Sequence, residues 1–287
     1  AMIFLVPLAQ GQEGKHTEKF EQLETELRDP NDYRSASGAP GHAYWQNEAD
    51  YVMDIVLDDT KQTITGKETI TYHNNSPDVL KYLWLQLDQN VRAKDSHTYN
   101  SRTQSVEHGA SYDGYGTTIT GMMEPEFDGG HKIMAVTDVE GNPLTYSINK
   151  TMMYVDMPQP LKPGESFSFK VEWWYNINDR AKLSGRSGSE YFEEDDNYGG
   201  WQNKQFLGRG EFTLPFGDYE VSITVPEDHI LGATGTLQNP NEVLTEEQRE
   251  RLEEAKTASQ PVMIVTEKEA RKAEKDKATN TKTWTFK

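Results

Sequence analysis

The sequence has no cysteine among its 287 residues, which excludes a disulfide framework, a thiolate zinc site and a thiol nucleophile. Basic side chains are scarce as well: 29 Lys and Arg stand against 47 Asp and Glu, giving a net charge of −18. Proteins that wrap nucleic acid need a basic face for the phosphates, so this balance argues against a nucleic-acid partner. No segment approaches the roughly 18 consecutive apolar residues of a transmembrane helix.

Motifs of enzyme active sites are also missing. The G-x-S-x-G turn of serine hydrolases does not occur, and Gly208-Arg209-Gly210 lacks the rest of a phosphate-binding loop. No two histidines have the H-E-x-x-H spacing of a zinc site. The seven histidines are His16, His42, His73, His97, His108, His131 and His229. The sequence therefore predicts no catalytic residue and no metal ligand on this chain, and any substrate-binding residues stay unknown.

What the chain does contain is a series of short segments in which apolar and polar residues alternate. Tyr51–Asp58, Gln62–Asn74 and Leu80–Leu87 are separated by turn sequences, and we expect them to form an antiparallel meander. Further segments of this type are Ile133–Val139, Leu144–Ile148, Met152–Met157, Ser166–Tyr175, Tyr219–Val225 and Thr283–Phe286. Turns at intervals of roughly 8–12 residues predict a mainly β fold, an antiparallel β-sandwich or saddle.

Two kinds of connection interrupt this pattern. Pro158–Glu165 is a proline-rich connector. Thr245 with Gln248 has the spacing of a helix capping box, and Thr266 with Glu269 repeats it, each before a charged run. These runs predict a short charged helical insertion at residues 245–277, with few apolar residues and therefore facing solvent.

The sequence divides into three parts. Residues 1–11 are an apolar run followed by small residues, as in the core and cleavage region of a signal peptide. A buried first strand or an unrelated chain end is the alternative. Residues 12–43 are a polar lead-in, and residues 44–287 form one large β-domain that ends on a strand signal. We therefore expect a fragment of a bacterial protein exported to the periplasm, the outer surface or the medium.

Two groups of side chains permit binding and also have a plain structural explanation. The acidic run Glu190, Glu193, Glu194, Asp195 and Asp196 has the oxygen ligands that calcium prefers, or it is a solvated loop. The aromatic residues Trp173, Trp174, Tyr175 and Trp201 suit stacking on sugars, or they belong to the core. The sequence favours the structural explanation in both cases.

A long ordered series of blocks resembles the N-terminal β-domain of aminopeptidase N-like zinc metallopeptidases, the gluzincin family, in its Bacteroidetes-like form. The blocks are Tyr44–Tyr51, Met53–Ile55, Gly66–Glu68, Asn74–Leu80, Leu83–Asn90, Gly199–Phe212 and Val225–Gly235. No single block carries the resemblance alone. Members usually have a segment with Gln and an aromatic-Pro-Arg before the block at Gly199, whereas here Asn197 runs directly into Tyr198. The family's substrate contacts from that segment are therefore in doubt for this chain.

The resemblance implies a following thermolysin-like domain that holds zinc on an H-E-x-x-H helix and grips the amino terminus of a peptide substrate. None of those motifs occurs here, so we expect no cofactor on this chain and zinc in a separate catalytic domain, its partner. The expected function is a noncatalytic, by itself inactive, domain that walls and supports the peptide site of an exported zinc aminopeptidase. A stand-alone β-sandwich module that recognises peptide or glycan is the alternative.

Overall fold

The computed structural model describes residues 30–96, 127–177, 205, 214–273, 275 and 278–287. The strands in this part are β1 (Glu48–Asp58), β2 (Thr63–His73), β3 (Leu80–Gln86), β4 (Lys132–Asp138), β5 (Tyr146–Asn149), β6 (Met152–Leu161), β7 (Ser166–Asn176), β8 (Tyr219–Pro226) and β9 (Thr281–Phe286). The helices are a 3-10 helix (Asp88–Arg92), α1 (Pro240–Val243), α2 (Glu246–Ala255) and α3 (Glu267–Ala273). None of these helices is long and apolar enough to cross a lipid bilayer.

The chain divides into two compact units, Ala1–Trp45 and Gln46–Lys287. In the described part of the first unit, the contacts join residues that lie close together in the sequence. The side-chain oxygen of Asn31 accepts the backbone N–H of Arg34 at 2.9 Å, and Arg34 pairs with Pro40 in an isolated bridge. The guanidinium of Arg34 lies 5.0 Å from the centre of the Tyr44 ring. All strands and helices named above belong to the second unit.

The larger sheet has six strands in the order β4-β7-β2-β1-β8-β9. Every neighbouring pair is antiparallel except β1 and β8, which run parallel. The prediction of a mainly β, largely antiparallel fold is therefore confirmed. β7 and β9 also fall where the alternating sequence predicted them, at Ser166–Asn176 and Thr281–Phe286.

The smaller sheet has the order β3-β6-β5, and it corrects the expected meander. β1 and β2 form the first hairpin as predicted, but β3 leaves them and pairs with β6. The passage of the chain from the larger sheet to the smaller one is fixed by Asn74, whose buried side-chain amide donates to the carbonyls of Asp78 and Leu161. A buried polar side chain must be satisfied, so Asn74 holds the end of β2 to the end of β6.

β6 is longer than predicted, because it continues through Pro158 and Pro160 of the expected connector. Proline lacks the backbone N–H that a central strand donates on both sides. β5 pairs with β6 only at Met152–Val155, so the prolines lie where β6 has a single neighbour. On that side the register between β3 and β6 shifts between Leu80 and Tyr82.

Two apolar clusters lie on the same face of the larger sheet, since paired residues of neighbouring strands point to one side. The first joins the smaller sheet to β2, β4 and β7, and its buried members are Ile70, Leu80, Leu83, Leu87, Val136, Met153, Val155, Met157, Leu161, Phe169 and Val171. The second joins the helices to β8 and β9, with Val225, Val243, Leu244, Trp284 and Phe286 buried. The opposite face of the larger sheet is polar, with threonines at alternate positions of β2.

In the helical insertion between β8 and β9, α2 and α3 lie within the predicted residues 245–277, whereas α1 precedes them. At α2, the backbone N–H of Gln248 donates to Thr245 Oγ1 at 3.3 Å and the Gln248 side chain accepts from Thr245 N at 3.0 Å. The same reciprocal pair joins Thr266 and Glu269 before α3. No residue of α3 is buried, whereas α2 packs Leu252 against the second cluster.

Candidate functional site

Glu68 is a charged residue on the apolar face of the larger sheet. Side chains alternate along a strand, so Glu68 points to the same side as Ile64, Gly66, Ile70 and Tyr72 of β2. It is half-buried, whereas Lys67 beside it is exposed on the polar face and pairs with Glu172 at 3.2 Å. A carboxyl among inward-facing apolar side chains marks a position that packing alone does not explain.

The strand register surrounds Glu68 with three rows of side chains. Its own row contains Met53 of β1 and Val171 of β7. In the row on one side, Tyr51 of β1 pairs with Tyr219 of β8. In the row on the other side, Gly66 pairs with Trp173 of β7. Diagonal neighbours in a sheet are within reach of long and aromatic side chains, so both rows reach the Glu68 carboxyl.

The side chains around Glu68 that contact it or one another are aromatic. The indole Nε1 of Trp173 donates a hydrogen bond to Oε1 of Glu68 at 3.2 Å. The rings of Tyr51 and Tyr219 stack with their centres 4.8 Å apart and their planes 12° from parallel. We call Glu68, Tyr51, Tyr219 and Trp173 the Glu68 cluster.

The environment of the cluster changes the ionisation of its members. Burial raises the pKa of Glu68 from 4.5 to about 7, and the hydrogen bond from Trp173 offsets part of this rise. Burial also raises the pKa values of Tyr51 and Tyr219, and the nearby Glu68 charge raises both further. Near neutral pH the carboxyl is therefore divided between its protonated and ionised forms, while both phenols keep their protons. Such a group can exchange a proton or take up a cation.

His131 stands on another side of the Trp173 ring. The imidazole meets the rings of Trp173 and Tyr175 edge to face, with centre distances of 5.3 and 5.2 Å. Burial lowers the pKa of His131 from 6.5 to about 4, so the ring is neutral at pH 7. Its Nδ1 is buried and has no hydrogen-bond partner among the described residues. The backbone N–H of His131 donates to Oδ1 of Asn90 at 2.7 Å, which fixes the segment that leads into β4.

Gly66 makes room for Trp173. A Cβ at this position would overlap the indole ring, which lies directly over the Gly66 backbone. Gly66 lies within β2 and is not among the glycines with a positive φ, so its backbone conformation does not require a glycine. The close approach of the indole ring does require one. Because Gly66 has no side chain, the Trp173 indole can lie over it, and the indole N–H reaches Glu68 two residues further along β2.

The structure separates the aromatic residues that the sequence grouped together. Trp173 and Tyr175 stack on the apolar face, with centres 5.6 Å apart, which supports the core explanation for these two. Trp174 lies on the opposite face. Trp201 and the acidic run at residues 190–196 lie outside the described residues, as does Gly208-Arg209-Gly210.

The described histidines are spread through the fold. His73 Nε2 lies 2.9 Å from Oδ2 of Asp50, and its Nδ1 lies 2.7 Å from Oγ of Ser166. Asp50 also accepts the backbone N–H of Asp218, which together with His73 lowers its pKa. These contacts join β1, β2 and β7 on the polar face of the sheet. His229 pairs with the adjacent Asp228 at 2.9 Å.

Within the described ranges, no three His, Asp or Glu side chains lie together so that they could hold a metal ion. The zinc that the resemblance implies is expected in a following domain, not among these residues. His42 is exposed in the first unit, and His16, His97 and His108 lie outside the described residues.

Sequence reasoning missed Glu68, although one signal for it was present. The alternation in β2 puts Glu68 in phase with Ile64 and Ile70, so a charged residue stands in an apolar series. Its partners could not be found in this way. Tyr219 and Trp173 come from distant strands that meet β1 and β2 only in the folded sheet.

No family model matches the chain, and no curated protein matches it. Among solved structures, it is similar to an M1 zinc metallopeptidase mutant from Deinococcus radiodurans bound to a Tyr-Ser-Ala substrate, with a TM-score of 0.40 and 13% identity over 84% of this chain and 39% of that one. It is similar to the M1 zinc metallopeptidase from the same organism with a TM-score of 0.38 and 14% identity, over 84% and 38% of the two chains. The chain thus spans about two fifths of the length of these structures.

Proposed function

We propose that this chain is a noncatalytic domain of an exported zinc aminopeptidase, in which it walls and supports a peptide site whose zinc and catalytic residues lie in another domain. The observation that carries the proposal is the ordered series of blocks from Tyr44 to Gly235 that resembles the N-terminal β-domain of the aminopeptidase N-like family. Export is part of the proposal because residues 1–11 have the apolar core and small residues of a signal peptide.

The structural position of the blocks supports this proposal. Met53–Ile55 lies within β1, Gly66–Glu68 within β2, and Leu83–Asn90 covers most of β3 and the start of the 3-10 helix. These blocks supply buried positions of the first cluster, such as Leu83 and Leu87. These three blocks therefore consist mostly of residues that build the sheets. A rigid β scaffold of this kind can present loops to a neighbouring site without supplying the chemistry itself.

The proposal is tested by reading the gene beyond the codon for Lys287 and by assaying the chain. We expect an H-E-x-x-H motif downstream, and a stop codon directly after Lys287 would contradict the proposal. We also expect the purified 287-residue chain with zinc to leave aminoacyl-anilides intact, while the protein that includes the downstream domain cleaves them. Cleavage by the 287-residue chain alone would locate the chemistry in this chain and overturn the proposal.

A stand-alone module that binds a glycan is the second candidate, and one surface favours it. Tyr82, Trp84 and Tyr154 form an aromatic cluster on the smaller sheet, with ring centres 4.8 to 6.5 Å apart, and Tyr82 is 40% exposed. Exposed aromatic rings offer apolar faces with a polar handle for such a ligand. In affinity electrophoresis through polysaccharide gels, Trp84→Ala should abolish any retardation and the control Trp174→Ala should not. No retardation of the wild-type chain contradicts this candidate.

A further inference from the structure

Asp50, His73 and Ser166 form a continuous series of hydrogen bonds on the polar face of the larger sheet. In the strand register, His73 of β2 lies directly opposite Ser166 of β7, and Asp50 of β1 is its diagonal neighbour. Oδ2 of Asp50 lies 2.9 Å from Nε2 of His73, and Oγ of Ser166 lies 2.7 Å from Nδ1. Three strands thus align a carboxylate, an imidazole and a hydroxyl. This is the arrangement that activates a serine, and it is recognised by its geometry rather than by a sequence motif.

The carboxylate determines which nitrogen of His73 carries the proton. Asp50 is ionised near neutral pH, because the backbone N–H of Asp218 and the side chain of His73 lower its pKa below the ordinary value. An ionised carboxylate only accepts hydrogen bonds, so Nε2 of a neutral His73 donates to Asp50. Nδ1 is then the acceptor, and the hydroxyl of Ser166 donates to it. The imidazole is therefore oriented to take the serine proton, as a general base does.

We propose that Ser166 is a reactive nucleophile towards small molecules with a good leaving group, such as aryl esters, with His73 as its base and Asp50 as a positioning residue. Ser166 is exposed at the start of β7, so a small molecule can reach its oxygen. The open face of a strand offers little shape for recognition. We therefore expect a rate that rises linearly with ester concentration, without saturation.

The reaction with an ester has two halves. Oγ of Ser166 attacks the acyl carbon and forms a new C–O bond, while the serine proton passes to Nδ1 of His73. The bond to the leaving oxygen breaks, and the leaving alcohol takes the proton from His73. Water then attacks the acyl-serine with the same base, releasing the carboxylic acid and restoring the hydroxyl of Ser166. Amides have a much poorer leaving group, so aminoacyl-anilides stay intact, and this reactivity goes beyond the proposed supporting function without depending on it.

The test is labelling of the 287-residue chain with a fluorophosphonate in the presence of EDTA, followed by peptide mapping in a mass spectrometer. The serine oxygen bonds to phosphorus, fluoride leaves, and the proton passes through the base to water. We expect Ser166 to be labelled at least about tenfold faster than Ser147, an exposed serine of β5 that faces Tyr154 instead of a histidine. Equal labelling of the two serines, or none at Ser166, would overturn the proposal. Release of nitrophenolate from p-nitrophenyl acetate should fall in Ser166→Ala, and an unchanged rate would contradict the ester reaction.

Two further variants separate activation from exposure. His73→Gln removes the base and should slow the labelling of Ser166 about tenfold or more. In Asp50→Asn, the amide oxygen can keep the hydrogen bond from Asp218 that Oδ1 accepts at 2.8 Å, which leaves the amide N–H group facing Nε2 of His73. The imidazole proton then moves to Nδ1, where it blocks transfer from the serine. We expect nitrogen-15 NMR to show this proton on Nε2 in the wild type and on Nδ1 in Asp50→Asn, with labelling reduced and thermal melting unchanged. Labelling at the wild-type rate in both variants would contradict the activation of Ser166.

Discussion

Across the β2–β7 pair, the indole Nε1 of Trp173 donates to Oε1 of Glu68 at 3.2 Å, and the same ring meets the imidazole of His131 at a centre distance of 5.3 Å. One indole thus separates an acid whose pKa is raised from a base whose pKa is lowered, in both cases by burial. Charging either group inside the fold is unfavourable. The two groups therefore influence stability in opposite directions over nearly the same range of pH.

Glu68→Gln should stabilise the protein at high pH. The folded-state pKa of Glu68 is about 7, above its ordinary 4.5, so its favourable contribution is complete below pH 4.5 and is lost as pH rises to 7. Gln keeps the shape without the charge. We expect the variant to match the wild type near pH 4 and to exceed its free energy of unfolding by roughly 3 kcal/mol at pH 8. Urea unfolding at both pH values measures this, with Glu172→Gln as the control. A difference that does not grow with pH would refute the assignment.

His131→Leu should remove a dependence of the opposite sign. Because the pKa of His131 is lowered to about 4, its contribution is complete above pH 6.5 and is lost as pH falls towards 4. We expect the wild type to lose roughly 2 kcal/mol from this group over that range, and the variant to lose none of it. In the wild type, the opposite dependence of stability on pH that comes from Glu68 largely cancels the loss from His131. The comparison is therefore made in the Glu68→Gln background, where an unchanged slope after His131→Leu would contradict the prediction.

Gly66→Ala should displace Trp173 from Glu68. A Cβ at Gly66 overlaps the indole ring, so the ring must move and its hydrogen bond must lengthen. We expect a loss of roughly 1–3 kcal/mol, as for other overpacked positions, together with a shifted indole N–H signal in NMR spectra. Gly232→Ala is the matched control, because no atom lies within 4 Å of the added Cβ. An unshifted indole signal in Gly66→Ala would show that the ring does not depend on this glycine.

Glu269→Gln should loosen the link between α2 and α3. The Glu269 carboxylate accepts two hydrogen bonds from Arg251, at 2.9 and 2.6 Å, and also those of Thr266. Arg251 first and Thr266 second lower its pKa to about 2, so its contribution is complete above pH 4.5 and is lost as pH falls towards 2. We expect faster hydrogen exchange of the α3 amides in the variant. Glu267→Gln, which breaks only the exposed pair with Arg271, is the control and should exchange like the wild type.

The fold class could be predicted because its signals are local. Alternation within Ser166–Tyr175 and the capping residues Thr245 and Gln248 are visible in short windows, and the structure has β7 and α2 there. The partner of β3 could not be predicted, because it depends on Asn74 donating to a carbonyl 87 residues away. Local patterns contain no information on such long-range contacts.

The candidate site divides in the same way. That Glu68 faces the apolar side of β2 follows from its phase with Ile70. The stacking of Tyr219 on Tyr51 follows only from the parallel pairing of β1 and β8. These strands are far apart in the sequence, so no turn between them predicts that they pair. The resemblance in sequence covers the β2 block but assigns no role to this carboxyl.

The most direct measurement is an NMR titration of the chain with its glutamate side-chain carboxyls labelled with carbon-13, using Glu68→Gln to assign the Glu68 signal. The account predicts that this signal titrates with a midpoint near 7, as burial beside Trp173 requires. A midpoint at the ordinary value of 4.5 would contradict the burial of this carboxyl on the apolar face of the sheet.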